Sequence, residues 1–186
     1  MVKNDRWIRR MAREKGMIEP FEPGQVSGGV VSFGTSSYGY DLRIADEFQL
    51  PEASDGVEID PKTAAPMREE KCDSIVLRPG AYLLARSLEY FRIPRGVLAL
   101  CFGKSTYARC GVVVNITPLE PEWEGFITIA INNCGAAPVR LHSNEGIAQV
   151  VFIAAEEACE TSYADRKGKY QRQKGIKTAF VRGDNK

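Results

Sequence analysis

Histidine is nearly missing from this chain: His142 is the only one in 186 residues. The five cysteines (Cys72, Cys101, Cys110, Cys134 and Cys159) are scattered, and no two form a C-x-x-C pair. A zinc centre built from clustered imidazoles and thiolates is therefore short of ligands. An odd number of cysteines without framework spacing argues against a disulfide scaffold. It favours reduced, mostly buried thiols, as in a cytoplasmic protein. No apolar run approaches the roughly 18 residues of a membrane span, and Met1-Val-Lys-Asn-Asp-Arg-Trp7 holds no apolar core of a secretory signal. Charge of one sign is not in excess either. Lys and Arg total 25 against 24 Asp and Glu, so no global field draws the chain to nucleic acid or to an anionic membrane. Any anionic ligand must be held locally.

The length suits a single domain over residues 1–186, large enough to bury a core without metal or disulfides. A helix is expected from Asp5 to Lys15. Asn4 or Asp5 can cap it, Trp7, Ile8 and Met11 share a face, and Gly16 can end it. After Pro20 and Pro23 the texture changes to short β-like runs between Gly, Pro, Asn and Asp. Candidate strands are Tyr40 to Ile44, Glu47 to Leu50, Ser74 to Leu77, Ala81 to Tyr90 and Val97 to Phe102. Further on come Val112 to Ile116, Phe126 to Asn132, Val139 to Leu141 and Ala148 to Ile153. The pattern predicts a mainly β fold, a sandwich or barrel with few helices. Glu52 to Glu70, acidic and rich in Pro and Ala, is expected to be a surface excursion. From Tyr163 onward Lys and Arg dominate, and 163–186 reads either as a solvated tail or as an arm that closes over a polyphosphate.

Two segments carry chemistry. Gly103-Lys104-Ser105-Thr106 resembles the end of a Walker A loop, but Leu98 stands where that loop needs its first glycine, and no βαβ pattern surrounds it. What survives is a strand end, a tight turn at Gly103 and a short helix from Ser105 or Thr106 to Gly111. Backbone N–H groups, Lys104 and two hydroxyls could cradle an anion there, with Ser105 and Arg109 on one face. A capped helix with a surface arginine explains the same residues. In Phe126-Ile-Thr-Ile-Ala-Ile-Asn132, strict alternation sends Ile127, Ile129 and Ile131 to a core. Ala130 then lies between Thr128 and Asn132 on the more polar face, where it leaves room for a ligand or fills a crowded seam.

In this order the segments resemble the dCTP deaminase family of the dUTPase-related β-clip superfamily. The motifs are Asp5-Arg-Trp-Ile8, Gly16-Met-Ile-Glu-Pro20, Ser36-Ser-Tyr-Gly-Tyr-Asp-Leu-Arg43, Glu89-Tyr-Phe-Arg-Ile-Pro-Arg95 and Gly103-Lys-Ser-Thr-Tyr-Ala-Arg-Cys-Gly111. They continue with Thr117-Pro-Leu-Glu-Pro-Glu-Trp-Glu-Gly125, Gly146-Ile-Ala-Gln149 and Gly168-Lys-Tyr-Gln171. The resemblance implies a β-clip, or distorted barrel, assembled as a homotrimer with sites shared between neighbouring subunits. It implies hydrolytic deamination of dCTP to dUTP and ammonia, feeding thymidylate synthesis, with Mg²⁺ carried on the triphosphate and dTTP as a candidate inhibitor. Zinc is not implied, since the H-x-E and P-C-x-x-C segments of zinc deaminases do not occur. Carried over by position, Lys104, Ser105, Thr106, Tyr107, Ala108 and Arg109 would bind triphosphate and organise the centre. Thr128, Ile129 and Ala130 would line the pyrimidine pocket, with Gln149, Tyr163, Lys169 and Gln173 contacting the nucleotide.

One departure matters. Ala130 occupies the position of the family's catalytic glutamate, and alanine can neither accept nor donate a proton. The resemblance therefore implies a chain inactivated or crippled, with Ser105 left to position water and Arg109 without the carboxylate it would steady. Two rival functions share the fold: a non-catalytic trimer that binds dCTP or dTTP, and a dUTPase-like pyrophosphatase, for which Glu120 is the nearest carboxylate.

Overall fold

The computed structural model describes residues 1–52, 58–62 and 66–181. The chain opens with α1 (Asp5–Lys15), then β1 (Ile18–Glu19), β2 (Gln25–Val26), β3 (Phe33–Ser36) and the long β4 (Gly39–Pro51). It continues through β5 (Met67–Lys71), β6 (Ser74–Leu77), β7 (Tyr82–Arg92) and β8 (Val97–Gly103) to the short α2 (Ser105–Ala108). β9 (Val112–Asn115), β10 (Glu124–Asn133), β11 (Val139–His142) and β12 (Gly146–Ala154) complete it. The protein is mainly β, as expected.

α1 forms for the reasons its sequence gives. Asn4 Oδ1 accepts from the Trp7 amide at 3.1 Å, and Gly16 closes the helix in the left-handed region at φ 61°. Ile8 and Ala12 are buried, with Trp7 and Met11 packed beside them.

β4 is the seam of the fold. Its first half pairs with β3 and β12, and its second half with β5 and β7. Two curled sheet halves thus share one strand. β12–β8 extends one half, β7–β10–β9 the other, and β6–β11 forms a separate two-stranded ribbon. The expected strands Tyr40 to Ile44 and Glu47 to Leu50 are therefore one bent strand. Its pairing with β7 slips between Ile44 and Phe48.

Core residues follow the period of two. On β7, Leu83, Ala85, Ser87, Glu89 and Phe91 all face inward. Large apolar members such as Leu83 and Phe91 contribute about 1.5–3 kcal/mol each. Glu89, fully buried, needs compensation. Arg43 supplies its Nε at 2.7 Å and its backbone N–H at 2.9 Å, and the Tyr40 hydroxyl stands 3.3 Å away. Burial pushes the Glu89 carboxyl above its ordinary value, against the pull of Arg43.

Three expectations change. β5 lies within the expected surface excursion, pairing with β4 as a charged strand, Met-Arg-Glu-Glu-Lys. Such charge protects an edge from further pairing and hides it from a hydrophobic pattern; of the rest of that excursion, 53–57 and 63–65 lie outside the described residues. β1, β2 and β3 also escape the pattern. They are short, and β3 contains Gly34, whose φ is 102° and where a Cβ would stand 2.0 Å from the Gly24 carbonyl oxygen. The cysteines are free, but not mostly buried: Cys110 and Cys134 are exposed, and Cys72, Cys101 and Cys159 partly buried. Burial still pushes the Cys101 thiol up to about 12.

Candidate functional site

A cavity of about 780 Å³ opens beside β10, walled by Leu98, by the Asn115–Pro121 segment and by residues after Tyr163. Alternation on β10 builds its floor. Ile129 and Ile131 are buried away from it, while Thr128 and Ala130 line the cavity together with the buried Ile127. Ala130 sits across from Asn115 of β9 and Leu84 of β7, and directly opposed residues share a face. Asn115 thereby comes to line the cavity. Ile129 points the other way, so any part it takes here falls to its backbone.

The far wall is the C-terminal arm. Arm and strand are stitched by backbone bonds, from Arg172 N to Glu124 O at 2.9 Å and from Phe126 N to Gln173 O at 3.1 Å. Trp123 Nε1 donates to the Tyr170 carbonyl at 3.0 Å. Gln173, buried, donates from Nε2 to the Phe126 carbonyl and to Thr128 Oγ1, the latter at 2.9 Å. The backbone N–H of Lys177 also reaches Thr128 Oγ1, at 3.2 Å. Tyr163, whose hydroxyl accepts from the Tyr170 amide at 3.0 Å, lines the cavity too. Lys169 lies over the rings of Tyr170 and Phe180 and donates to the Phe180 carbonyl at 2.8 Å. Tyr170 and Lys177 join the lining. Both lie within the basic segment, and Tyr170 within the Gly168-Lys-Tyr-Gln171 motif, but neither is among the expected nucleotide contacts.

Glu120 is the sole carboxylate among the described lining residues, and it is ion-paired with Arg166. The guanidinium of Arg166 in turn covers the Tyr163 ring at 5.1 Å.

The other expected site residues gather elsewhere. Lys104 is the N-cap of α2, which ends at Ala108 and not at Gly111. Its ammonium meets Asp41 at 2.5 Å, with both side chains nearly buried. Asp41 also accepts from Gln25 Nε2 at 3.0 Å and from Gln149 Nε2 at 3.1 Å. Gln149 donates as well to Ser36 Oγ at 3.0 Å. Ser105, Thr106, Ala108 and Arg109 are exposed, and the Arg109 guanidinium folds back to the Ser105 carbonyl at 3.2 Å. Tyr107 is buried, its hydroxyl accepting from the His142 amide at 3.3 Å. None of residues 104–109, nor Gln149, lines the cavity within one chain. The expected site is thus two clusters: Thr128, Ala130, Tyr163, Lys169 and Gln173 in one, and 104–109 with Gln149 in the other.

Among the described residues no group of His, Cys, Asp and Glu could hold a metal ion by itself, and no helix is long and apolar enough to cross a membrane.

This curled β fold has a solved counterpart. A 2'-deoxycytidine 5'-triphosphate deaminase from Agrobacterium tumefaciens superposes with a TM-score of 0.64 at 14% identity, over 83% of this chain and 48% of that one. At that identity the likeness defines the fold class, and the chain spans about half of that longer structure. Sequence goes further. The model of dCTP deaminase-like proteins matches residues 2–155. A dCTP deaminase of Nitrosomonas eutropha is 55% identical over 181 residues, covering 94% of this chain and 96% of the relative, and one of Thiobacillus denitrificans is equally similar. The chain belongs to the dCTP deaminase family.

Proposed function

We propose that this chain is a dCTP-binding homotrimer whose architecture serves zinc-independent deamination of dCTP to dUTP and ammonia, and in which Ala130 has removed the proton shuttle. One observation carries the reading. Ala130 lies on the cavity floor where a longer side chain would enter, and Glu120, the one carboxylate among the described lining residues, is held by Arg166.

Replacing the amino group at cytosine C4 requires water to add there, a group to take its proton, and protons for N3 and for departing ammonia. A glutamate with a tuned pKa serves all of these. Ser105 would position the water and Arg109 would steady the carboxylate. Both lie in the α2 cluster, away from the cavity of their own chain, which supports a site completed by the α2 of a neighbouring protomer. The separate 104–109 segment then supplies the triphosphate with hydroxyls and backbone N–H groups, and Lys169 and the 163–186 arm add cations around it. Mg²⁺ would be held through the triphosphate. A cavity with one carboxylate, already ion-paired, fits a cation brought by its ligand, and Mg²⁺ would offset phosphate charge there. Residues 1–186 are read as one domain with this arm, in the cytoplasm, where dCTP and reduced thiols are found.

The test is dUTP and ammonia release from dCTP with Mg²⁺, for this chain and for Ala130→Glu. Loss of a general acid–base group typically costs about 10²–10⁴ in rate, so the glutamate variant should be faster by at least that factor. Equal rates would place the shuttle at another residue. Glu120 lines the cavity, so a pyrophosphatase remains the second reading, and pyrophosphate release in the same assay would select it.

A further inference from the structure

Thr128 Oγ1 takes two hydrogen bonds from the arm. Gln173 Nε2 is one donor, at 2.9 Å, and the Lys177 backbone N–H is the other, at 3.2 Å. The orientation of the Gln173 amide is fixed independently, because its nitrogen also faces the Phe126 carbonyl, which can only accept. A threonine hydroxyl has two acceptor lone pairs and one donor hydrogen. Both lone pairs are occupied, so only the O–H remains to be satisfied. Among the described residues nothing accepts it, and Thr128 lines the cavity.

We infer that Thr128 is a specificity-determining residue whose polarity is set by the arm: with the arm docked, its hydroxyl acts only as a donor and selects a ring carbonyl oxygen. This rests on the proposed reading of the cavity as a pyrimidine nucleotide site. The wall around Thr128 supplies flat or apolar partners, including Leu98, Ile116, Pro118 and Trp123, which suits a base better than a phosphate. Residues two apart on a strand are separated by about 7 Å on the same face. If position 130 addresses C4, position 128 lies toward the far end of the same ring edge, beyond N3, where O2 is an acceptor. Cytosine, uracil and thymine all carry O2. Thr128 therefore accepts all three pyrimidines and leaves their discrimination at C4 to other groups.

The experiment measures dissociation constants of dCTP and of its 2-thio analogue, whose sulfur is a poor acceptor, by calorimetry with Mg²⁺. The unmodified chain should bind dCTP about tenfold more tightly than the thio analogue, the worth of one hydrogen bond. In Thr128→Val the two constants should converge, mainly through weaker dCTP binding. Thr128→Ser should restore the preference. If Thr128→Val weakens both ligands by the same factor, or neither, the residue serves only arm docking and the inference is overturned. If the unmodified chain binds neither ligand while a uracil or thymine nucleotide does bind, the dCTP reading fails, and the same comparison with that nucleotide's 2-thio analogue decides the role of Thr128. If it binds no pyrimidine nucleotide, both fall.

Discussion

Ser87 touches no cavity and carries no charge, yet it governs how β10 presents its polar face. Three residues of β7, Ser87 to Glu89, stand opposite the single Ile127, and the ladder is broken there. The Ile127 amide donates instead to Ser87 Oγ at 2.8 Å, and Ser87 Oγ donates to the Glu89 carbonyl at 2.6 Å. Ser87→Ala should leave a buried amide without a partner and cost about 1–3 kcal/mol, measured as a lowered urea midpoint. An unchanged midpoint would mean that the bulge does not depend on this hydroxyl. A second prediction concerns Glu47, which forms a two-pronged pair with Arg86 at 2.8 Å for both bonds. Arg86 holds the Glu47 carboxyl below its ordinary 4.5. A carboxylate with a depressed folded pKa stabilises above its unfolded pKa and loses that contribution as pH falls through the folded one. The stability deficit of Glu47→Gln should thus be constant above about pH 5 and shrink on acidification. It should also be small, because Glu47 is partly exposed and its pair is screened by salt. A deficit that grows toward acid would refute the assignment.

Strands and helices here differ in how openly their sequences declare them. α1 is declared by cap, face and C-terminal glycine together, and its predicted bounds match. β10 is declared by alternation alone. The expected Phe126 to Asn132 extends to Glu124–Asn133, because Glu124 and Gly125 pair with Arg92 and Phe91 of β7. β5 is not declared, since a charged strand at an edge needs no buried face. The turn before β9 shows a tighter constraint. Gly111 has φ 80°, and a Cβ there would stand 2.8 Å from the Gly135 Cα, where the chain after β10 passes close. Gly111→Ala should cost about 1–3 kcal/mol through backbone strain, read as a drop in thermal midpoint. A midpoint equal to that of the parent chain would show that the neighbouring glycine yields freely.

Considered as one body, the protein separates the two clusters that its family resemblance joins. The cavity gathers Thr128, Ala130, Tyr163, Lys169 and Gln173, and the α2 cluster stays outside it. If protomers share sites, the parent chain, with Ala130, and a Ser105→Ala/Ala130→Glu variant should each be nearly inactive alone. Mixed trimers, refolded together, should regain dCTP deamination, because one interface then joins an intact Ser105 to a glutamate. No recovery in mixed trimers of verified composition would place each site within a single chain.

The strand periodicity, the cap of α1 and the collinear motifs were enough to establish a mainly β chain of this family, because period, caps and turn residues act within a few positions. They also put Ala130 between two polar neighbours on one face. Tertiary structure alone decided that β4 is one bent strand shared by two sheet halves, that Lys104 and Gln149 converge on Asp41, and that Gln173 and Lys177 fill both lone pairs of Thr128. Those contacts join residues 45 to 108 positions apart. No local pattern encodes which distant donor a carboxylate or hydroxyl will meet; chain closure and packing make that choice.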